Sequence, residues 1–207
     1  MKLSHFTAAA LAVALSSCAD PKAPSEANFA AAFEQHLEEM PPHERRLCYH
    51  LRDYDAARKA VVDESIRMDS PATRARQALV DAGILEAPSF AEKKGPFGRT
   101  QTEATYLVRP GKESEIVETE HPTLFGGTVR QYQVCGGQLE LVDVVRWTEP
   151  AAGQNQAVVT YKLRYVDIPA WVTNEDLMSW LGAPKHTSGE PYEVQWPMTL
   201  TNEGWRL

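Results

Sequence analysis

The sequence predicts an α+β fold in which N-terminal helices are followed by an antiparallel β-sheet meander. Three observations lead there. Apolar residues recur at helical spacing in the first part of the chain, at Phe29, Phe33, Leu37 and Met40 and again before Gly83. Beyond residue 100 the apolar period changes to two, the signature of half-buried strands. The strand segments follow one another with hairpin-length connections, and helices precede strands instead of alternating with them.

Each element has a local cause. Ser25 is placed to cap a helix whose face carries Phe29, Phe33, Leu37 and Met40, and Pro41-Pro42 stops it. LCYHL (47–51) is short and reads as a strand. YDAARKAVVDESIRM (54–68) favours helix on propensity. Ser70 is an N-cap followed by Pro71 at the first helical position; this helix runs to Gly83, a residue suited to the left-handed C′ position, and Ile84 and Leu85 return to the core. Thr102, Ala104, Tyr106 and Val108 then share one strand face, and Pro110-Gly111-Lys112 turns the chain. SEIVET (114–119) reads as an edge strand whose charges blunt it against pairing. TVRQYQV, Cys135-Gly136-Gly137 and QLELVDVVRW together predict a hairpin.

The clearest strand is AVVTYKLRYV (157–166), with Ala157, Val159, Tyr161, Leu163 and Tyr165 inward and Thr160, Lys162 and Arg164 toward water. Thr173 with Asp176 predicts a capping box for a short helix carrying Leu177, Met178 and Leu181 before Gly182. A last strand alternates through Tyr192, Val194, Trp196, Met198 and Leu200. No internal repeat is present. Residues 25–112 are expected to form a helical subdomain and 113–207 an antiparallel β subdomain.

The first residues carry a different signal. One cation, Lys2, precedes FTAAALAVAL, an apolar run of secretory length that is too short to span a hydrocarbon core of about 30 Å as a helix. Leu15-Ser16-Ser17-Cys18 follows and resembles the lipobox of bacterial lipoproteins. That resemblance implies a signal peptide over residues 1–17, cleavage before Cys18 and acyl chains on the Cys18 sulfur and amino group. ADPKAPSEA, rich in proline and small residues, reads as a short tether between lipid and domain, placed over 18–24. The alternative is an ordinary signal peptide that contains a cysteine. In that family an aspartate directly after the cysteine favours retention at the inner membrane. Here Ala19 holds that position and Asp20 comes one later, so the resemblance implies the periplasmic face of the outer membrane.

Removing residues 1–17 leaves 190 residues and shifts the formal charge from −7 to −8, because Lys2 is lost. That length buries a real core in one large domain or two small ones. The acidic balance speaks against nucleic acid and against anionic lipid bound by charge alone. Two cysteines then remain, Cys48 and Cys135. An even pair in an oxidising compartment suggests a disulfide, which across this separation is worth about 4–5 kcal/mol in the chain-entropy model. Two buried free thiols are the alternative.

Two wider resemblances are present. ALVDAGIL, EKKGPFGR and YLVRPGK, within Pro71 to Gly111, resemble part of a winged helix: a helix ending in glycine and two aliphatics, a basic wing, and a closing strand. The DNA-binding role is not carried over, since the net charge is wrong for phosphate contacts. ADPKAPSEANFAAAF, QVCGGQLELVDVVRWTEP, YKLRYVDIPAW and LTNEGWRL resemble a group of proteobacterial outer-membrane lipoproteins of unknown function. That resemblance implies an envelope location and no reaction. Residues 52–70 depart from it.

Candidates for chemistry are few. His36, His43 and His50 recur every seven residues, but Pro41-Pro42 interrupts any helix through them, so no metal site is expected. Asp143 breaks the apolar face of LELVDVV; a buried general base and a water-exposed bulge both account for it. Trp147, Trp171, Trp180, Trp196 and Trp205 either pack a core or line a groove for glycan or peptide. The chain contains no G-x-S-x-G, H-E-x-x-H, P-loop or C-x-x-C. The expectation is a non-catalytic, lipid-anchored module without a cofactor that binds an envelope protein or cell-wall component. Alternatives are a periplasmic inhibitor or immunity protein using Glu113, Glu115, Glu118 and Glu120, and an enzyme with an unfamiliar site near Asp143 or His121.

Overall fold

The computed structural model describes residues 20–64, 70–94, 100–124, 126–151 and 153–207. Its elements correct the expected fold class. Among the described residues, eleven strands form three antiparallel sheets, and three α-helices pack against them. The helices do not form an N-terminal block, because strands lie between the first two.

Helix α1 (Glu26–Glu39) begins where Ser25 accepts from the Asn28 N–H, as the capping rule requires. Strands β1 (Leu47–His50), β2 (Tyr54–Asp55) and β3 (Ala60–Asp63) follow. The predicted helix over 54–68 is therefore wrong as far as residue 63, and residues 65–69 lie outside the described residues. Turn chemistry and tertiary pairing override propensity here. Asp55 Oδ1 accepts from the N–H groups of Ala57 and Arg58 at 3.0 and 3.2 Å, an Asx turn. Asp53 and Lys59 take left-handed backbone at φ 62° and 49°. Ala60 and Val61 are then buried opposite Leu107 and Tyr106.

Helix α2 (Pro71–Asp81) starts on Ser70, which accepts from the Thr73 N–H, and ends before Gly83 at φ 72°; Ile84 and Leu85 are buried as expected. Strands β4 (Ser89–Lys94) and β5 (Thr100–Leu107) pair antiparallel and complete a sheet of order β2-β3-β5-β4. Residues 71–111 thus contain a helix followed by a strand pair, but strands β1–β3 stand between α1 and α2, and the sheet is finished by β3 and β2. Wing residues 95–99 lie outside the described residues.

Strands β6 (Ile116–Pro122) and β7 (Thr128–Gly136) form a hairpin and join β1 in a sheet of order β1-β7-β6, with β6 at the edge. Strand β8 (Gln138–Trp147) opens the third sheet, continued by β9 (Gln156–Val166), β10 (Tyr192–Leu200) and β11 (Trp205–Arg206). The hairpin predicted across Cys135-Gly136-Gly137 does not form. One glycine, Gly137 at φ 69°, separates β7 from β8, and the chain there passes from one sheet to the next: Gly136 pairs with Leu47, Gln138 with Val166. A Cβ on Gly136 would stand 2.8 Å from Pro169 Cγ and 2.9 Å from Trp171 Cζ2. Gly136→Ala is accordingly expected to destabilise the fold by about 1–3 kcal/mol, read as a lower urea midpoint; an unchanged midpoint would show that the corner relaxes freely.

Helix α3 (Glu175–Leu181) starts one residue later than the capping box predicts. Asn174, not Thr173, accepts from the Asp176 and Leu177 N–H groups, while the Thr173 hydroxyl donates to the Ala170 carbonyl.

Two cores result. One holds Leu47, Tyr49, Val61, Tyr106 and Val134 against Leu79 of α2 and Leu177 of α3. The other places α1 on the sheet of β8–β11. Phe29 lies 5.0 Å from Trp205 and 5.5 Å from Trp147 between ring centres, and Phe33 lies 4.5 Å from Tyr161 and 5.1 Å from Trp196. The N-terminal helix therefore packs on the C-terminal sheet, and β1–β7 pairing joins stretches on either side of residue 112. Thr160, expected to face water, is buried.

Buried tyrosines set an alkaline limit. The Tyr49 hydroxyl donates to the Val172 carbonyl, and burial pushes its pKa up from 10.0 to about 12; burial also raises Tyr106 and Tyr161. The neutral phenol is the form that fits the fold. Its contribution is fully present below pH 10 and is lost as pH rises from there through about 12. Stability to urea should be flat up to pH 10 and fall above it. Phenolate absorbance rising in a single step near pH 10 with the fold intact would contradict this.

Candidate functional site

A polar cleft is built where the β2–β3 turn and the end of β3 meet α2. Ala75, Ala78 and Leu79 form the buried stripe of α2, and Arg76 stands within that stripe with 3% of its surface exposed. An arginine so deep requires anionic partners. Its guanidinium donates through Nη1 to Asp63 and through Nη2 to Asp53 Oδ2 at 3.1 Å, and the Trp180 ring covers it at 5.2 Å. On the other side of β3, the buried carboxylate of Glu103 pairs with Lys93 and lies 3.8 Å from Arg58, which also reaches Asp55 at 3.3 Å.

Two depressions of about 430 and 410 Å³ flank this network and share Asp53 and Asp63. Their principal charges are tied to opposite charges of the fold itself. Ser70, on the rim, has its hydroxyl engaged in capping α2. The cleft thus offers paired carboxylates and cations to a ligand. Among the described residues it does not align a nucleophile with a base.

The sequence-predicted residues are dispersed. Cys18 lies outside the described residues. Cys48 and Cys135 stand directly opposite one another on β1 and β7 and are joined as a disulfide, with Cα atoms 4.1 Å apart. Asp143 is exposed, follows a bulge in β8 and faces Lys162 across the pair, so the bulge explains why it breaks the apolar pattern. His36 sits edge-on to Trp196 at 5.8 Å, His43 is beside Glu44, and His50 is exposed near the Tyr132 carbonyl. These three histidines converge on no common point, and the described residues contain no group of three or more potential metal ligands. His121 contacts the Thr119 hydroxyl at 3.2 Å. Trp171 and Trp205 are buried and the other three are partly buried against the cores; Trp180 also lines the second depression, where it covers Arg76.

The acidic row is also engaged internally. Glu115 pairs with Arg46 at 3.0 Å, and Glu118 and Glu120 flank Arg130 at 3.2 and 3.4 Å. Glu113 accepts from the Gly111 N–H; its own backbone N–H, and after it that contact, hold its carboxyl below the usual range.

Sequence reasoning missed the Arg76 cluster. Its one legible signal is a charge inside the apolar stripe of ATRARQALV. Asp63 was hidden because it falls in the segment 54–68, which has helical propensity, and Asp53 stands just before that segment. Comparison with family models, curated proteins and solved structures finds no match to this chain.

Proposed function

We propose that this chain is an envelope lipoprotein, anchored through acyl chains on Cys18 at the periplasmic face of the outer membrane, that binds another envelope protein or cell-wall component without catalysing a reaction. The observation that carries the reading is the coincidence of two cysteine features: Leu15-Ser16-Ser17-Cys18 directly after an apolar leader, and a bridged Cys48–Cys135 pair of the kind that persists in oxidising compartments. Support for a binding role comes from the cleft, whose main charges are held by one another in the manner of a fixed recognition surface. No described helix is long and apolar enough to cross a membrane, so this reading assigns attachment to lipid.

Cells expressing the full chain and supplied with labelled palmitate test it. The label should enter the wild-type protein, sediment with outer membranes, and be absent from Cys18→Ser. An unlabelled wild-type protein would overturn the anchor. Crosslinking in whole cells should further recover a defined partner, and charge reversal at Asp53 should weaken its capture.

A further inference from the structure

The stretch expected to be a short tether is fastened to the body from Asp20 onward. The Asn28 side-chain amide donates to the carbonyls of both Asp20 and Ala23, each at 2.8 Å. Trp205 Nε1 donates to the same Ala23 carbonyl at 3.3 Å, and the Lys22 and Ala23 N–H groups turn back onto Asp20. Gly204, at φ 129°, approaches the Pro21 carbonyl so closely that a Cβ would stand 3.2 Å from it. The chain is therefore held from Asp20 onward, at the point where the start of α1 meets the β10–β11 turn.

We infer that this clamp fixes the orientation of the body on the bilayer, with the β10–β11 turn and the start of α1 directed at the lipid surface. The inference rests on the proposed acylation of Cys18. Only Ala19 separates that residue from Asp20, and two residue steps reach at most about 7 Å. A body clamped at Asp20 cannot stand off from the headgroups or tumble freely, as it would on a flexible linker. The face so presented includes Pro21, Lys22, Asn202 and Glu203, all exposed, and carries both signs of charge. The acyl chains, not basic residues, therefore hold it there, and the orientation is insensitive to salt.

The test uses the full-length acylated protein in vesicles of phosphatidylethanolamine and phosphatidylglycerol. Nitroxide labels are placed at Glu203→Cys or, on the exposed strand β4 of another sheet, at Lys94→Cys. Collision with lipid-soluble oxygen and with an aqueous nickel chelate reports depth. The label at 203 should read as membrane-proximal and that at 94 as aqueous, at low and high salt alike. Asn28→Ala and Trp205→Phe, which remove the clamp's donors, should abolish the difference. Equal aqueous readings at both sites in a protein whose mass shows acyl chains would overturn the clamp and leave the anchor standing. A mass without acyl chains would overturn both.

Discussion

Arg76→Ala should cost about 3–5 kcal/mol of folding stability, the usual consequence of removing one partner from a buried ion pair. The guanidinium is almost fully buried, yet it links α2 to the β2–β3 unit through two carboxylates and supports Trp180 of α3. The two carboxylates differ. The Asp63 side chain is 14% exposed and that of Asp53 is 59% exposed. A double-mutant cycle by urea unfolding should give strong coupling between Arg76 and Asp63 and less than about 1 kcal/mol between Arg76 and Asp53, where water screens the charge. Arg76→Lys should fall between wild type and alanine, since it keeps the charge but not the fork. Equal coupling to both aspartates would contradict the geometry described here.

Removing the disulfide is the second large perturbation. The double variant Cys48→Ala, Cys135→Ala should lose about 4–5 kcal/mol, the chain-entropy value for a closed loop of this size. The bridge ties β1, a strand of four residues, to β7 and closes an 87-residue separation. β1 should be the first element to gain hydrogen exchange in the variant, because its few ladder bonds then have to hold that long loop closed unaided. Reductant should lower the wild-type urea midpoint toward that of the variant and leave the variant unchanged. A loss below about 1 kcal/mol would mean that strand pairing and packing alone fix β1.

Parts of this fold were legible because they depend on local chemistry. Ser25 and Ser70 cap the helices they precede, Gly83 ends α2, and Phe29 and Phe33 face the core as their spacing requires. Ala157, Val159, Tyr161 and Leu163 are buried as a period of two requires, and Thr160 departs from the alternation. What failed depends on partners distant in sequence. Tyr54 to Asp63 carry helical propensity, but Tyr54 and Asp55 fold back onto β3, and Ala60 to Asp63 pair with β5, about forty-five residues later in the chain. QVCGGQL has the composition of a hairpin turn, yet its two strands find other partners, β1 on one side and β9 on the other. Asp143 looked out of place only because a bulge resets the alternation that the sequence pattern assumes. The clamp on residues 20–23 had no sequence signal beyond a proline-rich composition. Its donors, Asn28 and Trp205, are meaningful only once the C-terminal strand lies beside the start of α1.

The most direct measurement is the intact mass of the protein isolated from the membranes of its native cells. The expected chain begins at Cys18 and is heavier than that polypeptide by its acyl groups and lighter by two hydrogens for the Cys48–Cys135 bridge. A chain that retains Met1, carries no acyl group and takes up alkylating reagent on all three cysteines would contradict it.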